Sequence, residues 1–412
     1  MRFLILFLPV ILAAQTMEHD MSHMDHDMSH MDMPMDPHPA SGTSWNPASS
    51  PMNMRHYTWG KWKFSLHGLA FVGDIQQTGP RGAGKFVSMN WMMGEARHDL
   101  GKGELTIRSM LSLDPATITH ERYPELFQTG ETAYGKPIVD GQHPHDFVME
   151  LSVKYSHPLT KSVDGYVYFA PVGDPALGPV GFPHRVSAAE LPQATLAHHL
   201  QDSTHVSNEV LTAGVKTKLY GVEASGFHGG EPNENRWNID YGGIDSYSAR
   251  LFVTPGANWS GQVSAGRLTH PEALEAGDQT RVTASLTYNR PFREGNWASS
   301  ILWGRVHKTE NQDNLQGYGF ESVVRFRGKN YVTGRVEVVD KDELVTAGLH
   351  RIGAFTAGYT RDFYVIPGLA TGLGGNLTFY GMGQDLQSVY GKHPVAAMVF
   401  VRFKLREMEM HH

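Results

Sequence analysis

Residues 17–35 read MEHDMSHMDHDMSHMDMPM, a run in which thioether and imidazole side chains are interleaved with acids. Its candidate ligands are Met17, His19, Met21, His23, Met24, His26, Met28, His30, Met31, Met33 and Met35, and the unit MSHMD recurs at 21–25 and 28–32. Thioether sulfur is a soft donor that favours Cu(I), while imidazole serves Cu(I), Cu(II), nickel and zinc. Hard magnesium and calcium ions take oxygen ligands instead. The mixed set therefore points to copper, with silver or zinc as alternatives. Many weak sites along one chain suit transfer better than a closed cage, which would not release the ion. The acidic, almost aromatic-free composition cannot bury a core, so the segment is expected to be disordered. A Met-rich amphipathic helix is the competing reading, but Asp residues interrupt every face and leave no apolar stripe. Met408, Met410, His411 and His412 repeat the composition at the C-terminus.

A second histidine population lies at 143–205, where seven imidazoles occur. His143-Pro144-His145-Asp146 ends one candidate loop, and His198, His199, Asp202 and His205 end another, in AHHLQDSTH. Spacings of four and three place His198, Asp202 and His205 on one face if this piece is helical. Ser187 with Glu190 resembles a capping box just ahead of it. Two imidazoles and a carboxylate could hold zinc, copper, nickel or iron, or the Asp could orient a histidine ligand. The alternative is a hydrogen-bonded polar plug in which His145–Asp146 and His199–Asp202 are structural contacts. Other chemistry is weakly marked. Gly79–Gly84 lacks the GK[ST] end of a phosphate loop, and no GxSxG elbow occurs. Ser203 beside His199 and His205 keeps an outer-membrane enzyme among the alternatives.

Positioning these residues requires an export signal and a scaffold. Residues 1–14, MRFLILFLPVILAA, carry Arg2 ahead of an apolar run and small residues at Ala13 and Ala14, the form of a secretory signal. The chain has 412 residues and no Cys. This excludes disulfide frameworks, zinc–thiolate fingers, iron–sulfur clusters and thiol nucleophiles. Its net charge of −7 argues against nucleic acid as a partner. Residues 16–54 hold six acids and no Lys or Arg, so the rest of the chain is nearly balanced, at −1. No stretch approaches the ~20 apolar residues of a membrane helix.

From residue 64 onward the dominant period is two. Val282, Ala284, Leu286 and Tyr288 alternate with Arg281, Thr283, Ser285 and Thr287, and Val395, Ala397, Val399, Val401, Phe403 and Leu405 share one face. Sixteen such segments start near 64, 86, 103, 147, 164, 206, 221, 246, 258, 279, 296, 317, 330, 351, 371 and 394. Short turns alternate with longer connections at 73–85, 114–146, 171–205, 229–245, 268–278, 307–316, 340–350 and 381–393. This is the pattern of a transmembrane antiparallel β-barrel of about 16 strands, within a range of 14–18. Even parity leaves both termini in the periplasm. Trp59, Trp62, Trp91, Trp259, Trp297, Trp303, Tyr359, Phe379 and Phe403 are candidates for interfacial girdles. A soluble sandwich or propeller ranks second, since no blade-length repeat is visible. The expected organisation is a signal (1–14), a disordered metal-binding extension (15–58), the barrel (59–406) and a Met/His tail (407–412). Loops 114–146 and 171–205 are candidates to fold into the lumen.

The signal, the Met/His-rich extension and the barrel pattern together resemble the copper resistance protein B family. GQHPHDFVMELSVKYSHPL and LAHHLQDSTHVS are more similar to uncharacterised barrels associated with heavy-metal efflux systems. The resemblance implies an outer-membrane protein, not an enzyme, that binds periplasmic copper or another soft ion and sequesters or exports it. Its partners would be outer-membrane lipid, metal ions and a periplasmic metal carrier or efflux system. The metal candidates are the eleven residues of 17–35 together with His143, His145, Asp146, His198, His199, Asp202 and His205. The alternatives are a metal-dependent enzyme using the loop His/Asp cluster and a general porin.

Overall fold

The computed structural model describes residues 38–406 apart from Met52. Each alternating segment forms a strand. The first eight are β1 (Trp62–Gln77), β2 (Gly84–Leu100), β3 (Gly103–Leu111), β4 (Val148–Pro158), β5 (Asp164–Gly173), β6 (Ser207–Lys216), β7 (Tyr220–His228) and β8 (Ser246–Val253). The second eight are β9 (Trp259–Leu268), β10 (Gln279–Phe292), β11 (Gly295–Lys308), β12 (Asn314–Phe326), β13 (Asn330–Lys341), β14 (His350–Ile366), β15 (Leu369–Gly381) and β16 (Val395–Leu405). Every start lies within three residues of its expected position. Neighbours pair antiparallel in chain order, and β16 pairs with β1, Lys404 opposite Leu69 and Ala396 opposite Gln77. The result is a closed 16-strand barrel. Closure leaves no sheet edge with unpaired backbone groups, which hydrocarbon could not satisfy. Residues Met54–Trp59 pair with the first part of β1, the stretch that β16 leaves uncovered.

One end of the barrel carries only tight turns, such as 101–102, 293–294 and 367–368; we call it the turn side. The loop side carries 112–147, 174–206, 229–245 and 382–394. The expected loop 73–85 shrinks to 78–83, because β1 continues to Gln77. Asp74 and Gln76 look loop-like but stay in the ladder, opposite Phe86 and Gly84. Gly73 permits this run. A Cβ there would lie 2.4 Å from the Val399 carbonyl oxygen across the closing seam.

Outward positions are apolar and exposed, among them Val153, Val167, Leu211, Val263, Ile301 and Val399. Inward positions are polar and buried, among them Arg108, Glu150, Glu223, Arg250, Glu321 and Arg335. This is the dyad alternation of a barrel facing lipid outside and protein inside. Trp91 departs from the girdle expectation. Met92 takes the exposed outward position while Trp91 is buried facing the lumen, between His67 and His184.

The lumen is filled by the chain itself, and buried arginines hold the insertions. Arg108 Nη1 donates to the Ala40 and Gly42 carbonyls at 2.9 and 3.0 Å. Arg250 reaches Glu223 at 2.7 Å, Gly178 O at 3.1 Å and Thr43 Oγ1 at 3.0 Å. A guanidinium suits this task because its five donors form a rigid fork. Residues 40–50, expected to belong to the disordered extension, are therefore packed inside the barrel. Their small hydroxyl, amide and glycine residues are matched to wall and loop groups such as Asp174, Asn289 and His184 O. Segment 174–206 crosses the lumen, tied to Ser264 of β9, Gly317 of β12 and Glu337 of β13.

Residues 112–147 contribute a lumenal hairpin, Tyr123–Ala133 paired with Lys136–Gln142. Glu125 in its first strand is buried, and its Oε2 finds no hydrogen-bond partner among the described residues. Burial, reinforced by the charge of Glu337, pushes its carboxyl up to about 8, against Arg335 and Lys341. From the ordinary value of 4.5 up to about 8, the folded state holds a proton that the unfolded chain has released. Stability is therefore full below that window and falls as pH rises through it. Hydrogen-exchange protection of 123–142, corrected for the intrinsic pH dependence of exchange, should decline as pH rises across this window. It should stay level in Glu125→Gln. An equal decline in both proteins would remove Glu125 as the cause.

Candidate metal centre

The histidines of the two long loops meet inside the loop-side half of the barrel. Pro144 disfavours helix at His143, and the HPHD stretch runs without regular structure. The other arm is a one-turn helix, His198–Gln201, followed by a 3-10 turn, Ser203–His205. The helical turn sets Asp202 beneath His198, and Nδ1–H of His198 donates to Asp202 Oδ1 at 2.7 Å. Burial acts to raise the Asp202 carboxyl, but the charge of Arg185 and the His198 bond outweigh it and keep the group ionised. An ionised carboxylate can only accept, so the proton of neutral His198 sits on Nδ1 and its Nε2 carries a lone pair.

The neighbouring rings are held in similar ways. His143 Nδ1–H donates to Pro144 O at 3.0 Å, and its Nε2 stands 2.9 Å from Glu131 Oε1 without hydrogen-bond alignment. His199 Nδ1 faces Glu231 Oε1 at 3.2 Å, and its buried Nε2 has no hydrogen-bond partner among the described residues. His205 Nδ1–H donates to Asp202 O at 2.7 Å, and its Nε2 is likewise unpartnered. One ring nitrogen from each of His143, His198 and His199 lies within 4.8 Å of the other two. Two nitrogens on tetrahedral zinc stand ~3.4 Å apart, given Zn–N bonds of about 2.1 Å. Small side-chain rotations bridge the difference.

Electrostatics favour the metal-binding form of these rings. Burial depresses His198 to about 4 and His205 to about 3, and holds His199 well below its ordinary value. All three are neutral at neutral pH, as a ligand must be. Beside them Glu131 stays ionised. Burial works to raise it, but Arg236 and His143 outweigh that effect. Glu131 thus supplies fixed negative charge next to the trio.

The remaining expected residues take other roles. His145 Nδ1 is 3.0 Å from Asp114 Oδ2, not paired with Asp146. Asp146 sits 3.6 Å from Arg236, and burial foremost pushes its carboxyl up to about 8. Asp202 has one oxygen on His198 and the other on Arg185, so it orients a ring instead of facing the trio. His199 pairs with Glu231, not with Asp202. The Ser187–Glu190 cap does not form. Ser187 Oγ contacts Ser300 and Glu321, Glu190 meets Lys404, and the helix begins only at His198. Ser203 Oγ accepts from Arg281 at 2.8 Å instead of donating to an imidazole.

Glu131, Glu231 and Arg236 complete the site and carried no signal in the sequence, because each comes from a different part of the loops. A second group, Glu275, Asp342 and Glu343, already has its charge met by Lys308 Nζ at 2.7, 2.8 and 3.0 Å. The signal, the eleven expected ligands of 17–35 and the Met/His C-terminus lie outside the described residues.

The sequence matches no known protein family, and no curated protein matches it. Solved structures do. An anion-selective porin from Comamonas acidovorans superposes with a TM-score of 0.54 at 11% identity, covering 84% of this chain and 100% of that one. Pseudomonas putida OprB in its high-pH structure gives 0.53 at 10%, covering 84% and 94%. Salmonella typhi OmpF in complex with daunomycin gives 0.52 at 10%, covering 85% and 100%. The chain thus has the fold of porin-type outer-membrane barrels, in keeping with its apolar outer face.

Proposed function

We propose that this porin-type outer-membrane barrel binds a transition-metal ion in its lumen, at His143, His198 and His199, on the way to sequestering or exporting it. The observation that carries the reading is the meeting of three imidazoles whose other nitrogens are already engaged, two of them by carboxylates, beside the ionised Glu131. Such second contacts fix the ring and raise its basicity, as they do around metal sites generally. An all-imidazole trio suits Cu(II) or zinc, whereas the thioethers of 17–35 suit Cu(I). In this reading the extension collects copper on the periplasmic side, where both termini lie, from a carrier or efflux partner. That is also what the resemblance to the copper resistance protein B family implies.

Metal titration of the full-length protein tests it. His143→Ala with His199→Ala should weaken one Cu(II) or Zn(II) equivalent by more than about 100-fold, since even loss of an outer partner costs 10–100-fold. Removing 16–37 should cost Cu(I) equivalents instead. Unchanged Cu(II) and Zn(II) binding in the double variant would overturn the lumenal centre.

A general porin is the second reading, favoured by the likeness to porins. The two lumenal cavities argue for a narrow path. They measure about 30 Å³ at the histidines and about 90 Å³ on the turn side, room for ions and a few waters. Planar-bilayer conductance well below that of an open 16-strand barrel supports metal handling, and a large steady conductance supports the general porin.

A further inference from the structure

The 90 Å³ cavity contains a second pair of imidazoles. His67 on β1 and His184 in segment 174–206 pack against one indole, Trp91 of β2, with ring centroids 4.7 and 4.2 Å away. The cavity also touches Asn296, Arg325, Tyr331 and Lys404. Each of these lies one residue from the turn-side end of its strand. The trio's cavity reaches Leu268 and Arg281, at the loop-side ends of β9 and β10. The crossing segment therefore has a histidine-lined cavity on either side of it.

His184 is buried, and its Nε2 has no hydrogen-bond partner among the described residues. Its backbone is fixed on both sides, N–H donating to Gly181 O at 2.9 Å and C=O accepting from Asn46 at 3.0 Å. Burial, and then the nearby His67, His205 and His145, keep its imidazole neutral. Gly181, in the same turn, packs against the His205 ring. From there the imidazoles continue in file. His205 to His198 is 5.3 Å between centroids, His198 to His199 is 5.1 Å, and His199 to His143 is 5.7 Å.

We propose that His67 and His184 form a second transition-metal station, on the turn side of the lumen, joined through His205 and His198 to the His143/His198/His199 centre. The proposal deepens the metal reading above and rests on it for the nature of the ion. Two neutral imidazoles select the same borderline class, Cu(II) or Zn(II), and the Trp91 face adds attraction for a cation. Passage through a pore needs sites strong enough to admit an ion and numerous enough to release it. A two-histidine station leading to a three-histidine centre meets that requirement.

Trp91 makes the station visible. Cu(II) quenches an indole it touches, and the difference between the full-length protein and Trp91→Phe isolates this residue from the seven other tryptophans. Cu(II) titration should quench the Trp91 component saturably. His184→Gln should shift that quenching to at least tenfold higher Cu(II), and His67→Gln should do the same. His143→Ala with His199→Ala should leave it in place. Unchanged Trp91 quenching in His184→Gln overturns the station. Persistent Trp91 quenching with no equivalent lost in the His143/His199 variant overturns the central site alone and leaves the station standing. Anomalous diffraction from zinc-soaked wild-type crystals provides a check that needs no variant. A peak about 2.1 Å from a ring nitrogen of both His67 and His184 supports the proposal, and density at the trio without one here overturns it.

Discussion

Arg185→Met should release segment 174–206 from the barrel wall while the barrel stays closed. Arg185 is fully buried, and its guanidinium serves three acceptors: Val180 O at 2.6 Å, Asp202 Oδ2 at 2.8 Å and Glu321 Oε2 at 2.8 Å. Methionine keeps the length of the side chain and removes every donor. Asp202 then retains only His198, and Glu321 retains Arg335 at 3.2 Å. Breaking a buried pair from one side costs about 3–5 kcal/mol, because the remaining charge is left without compensation. The β12 ladder to β11 and β13 is backbone pairing and does not involve Arg185. Hydrogen exchange should show the opening free energy of 181–205 falling by about that amount, with the strand amides unchanged. Planar-bilayer conductance should rise as the segment loosens. Equal loss in segment and strands would mean that the insertion and the barrel are one cooperative unit. No loss at all would mean that the ion network contributes nothing.

Legibility in the sequence followed the reach of each interaction. Strand positions could be read because alternation is local: Val282, Ala284 and Leu286 against Arg281, Thr283 and Ser285 specify a sheet with two unlike faces without reference to any other strand. Closure followed from even strand number and the demands of hydrocarbon on backbone groups. The lumen was harder. Trp91 has the composition of a girdle residue, but its parity with Val87, Met89 and Met93 turns it inward, and one residue of register decides the face. Residues 40–50 read as linker because their stabilisation comes from Arg108, Arg250 and Asp174, far away in sequence. The histidines of the trio were visible as types and spacings. Their meeting was not, since His143 and His199 come from separate loops and their carboxylate neighbours, Glu131 and Glu231, sit in different segments again. The helical spacing of His198 and Asp202 succeeded for the same reason the strands did, as a contact made within one turn.

Gly130→Ala should disable the trio without removing any of its ligands. Gly130 lies in the lumenal hairpin at φ +118°, a region that side chains rarely adopt, and a Cβ there would fall 2.4 Å from Cε1 of His199 and 2.5 Å from both ring nitrogens. Backbone and ring cannot both stay. Either the hairpin shifts, at a cost of order 1–3 kcal/mol for a strained conformation, or the imidazole swings away from Glu231 and from the other two rings. Both outcomes misplace one of three donors. Affinity for Cu(II) or Zn(II) at the centre should fall by about 10–100-fold, the scale on which ligand orientation matters. Gly135→Ala separates the two causes. Gly135 occupies the turn of the same hairpin at φ +68°, but nothing lies within 4 Å of a Cβ placed there. It imposes backbone strain on the hairpin without touching a ligand. A large loss in Gly130→Ala with little in Gly135→Ala assigns the effect to the His199 ring. Equal losses would trace it to the hairpin as a whole, and unchanged affinity in Gly130→Ala would mean that His199 does not bind the ion.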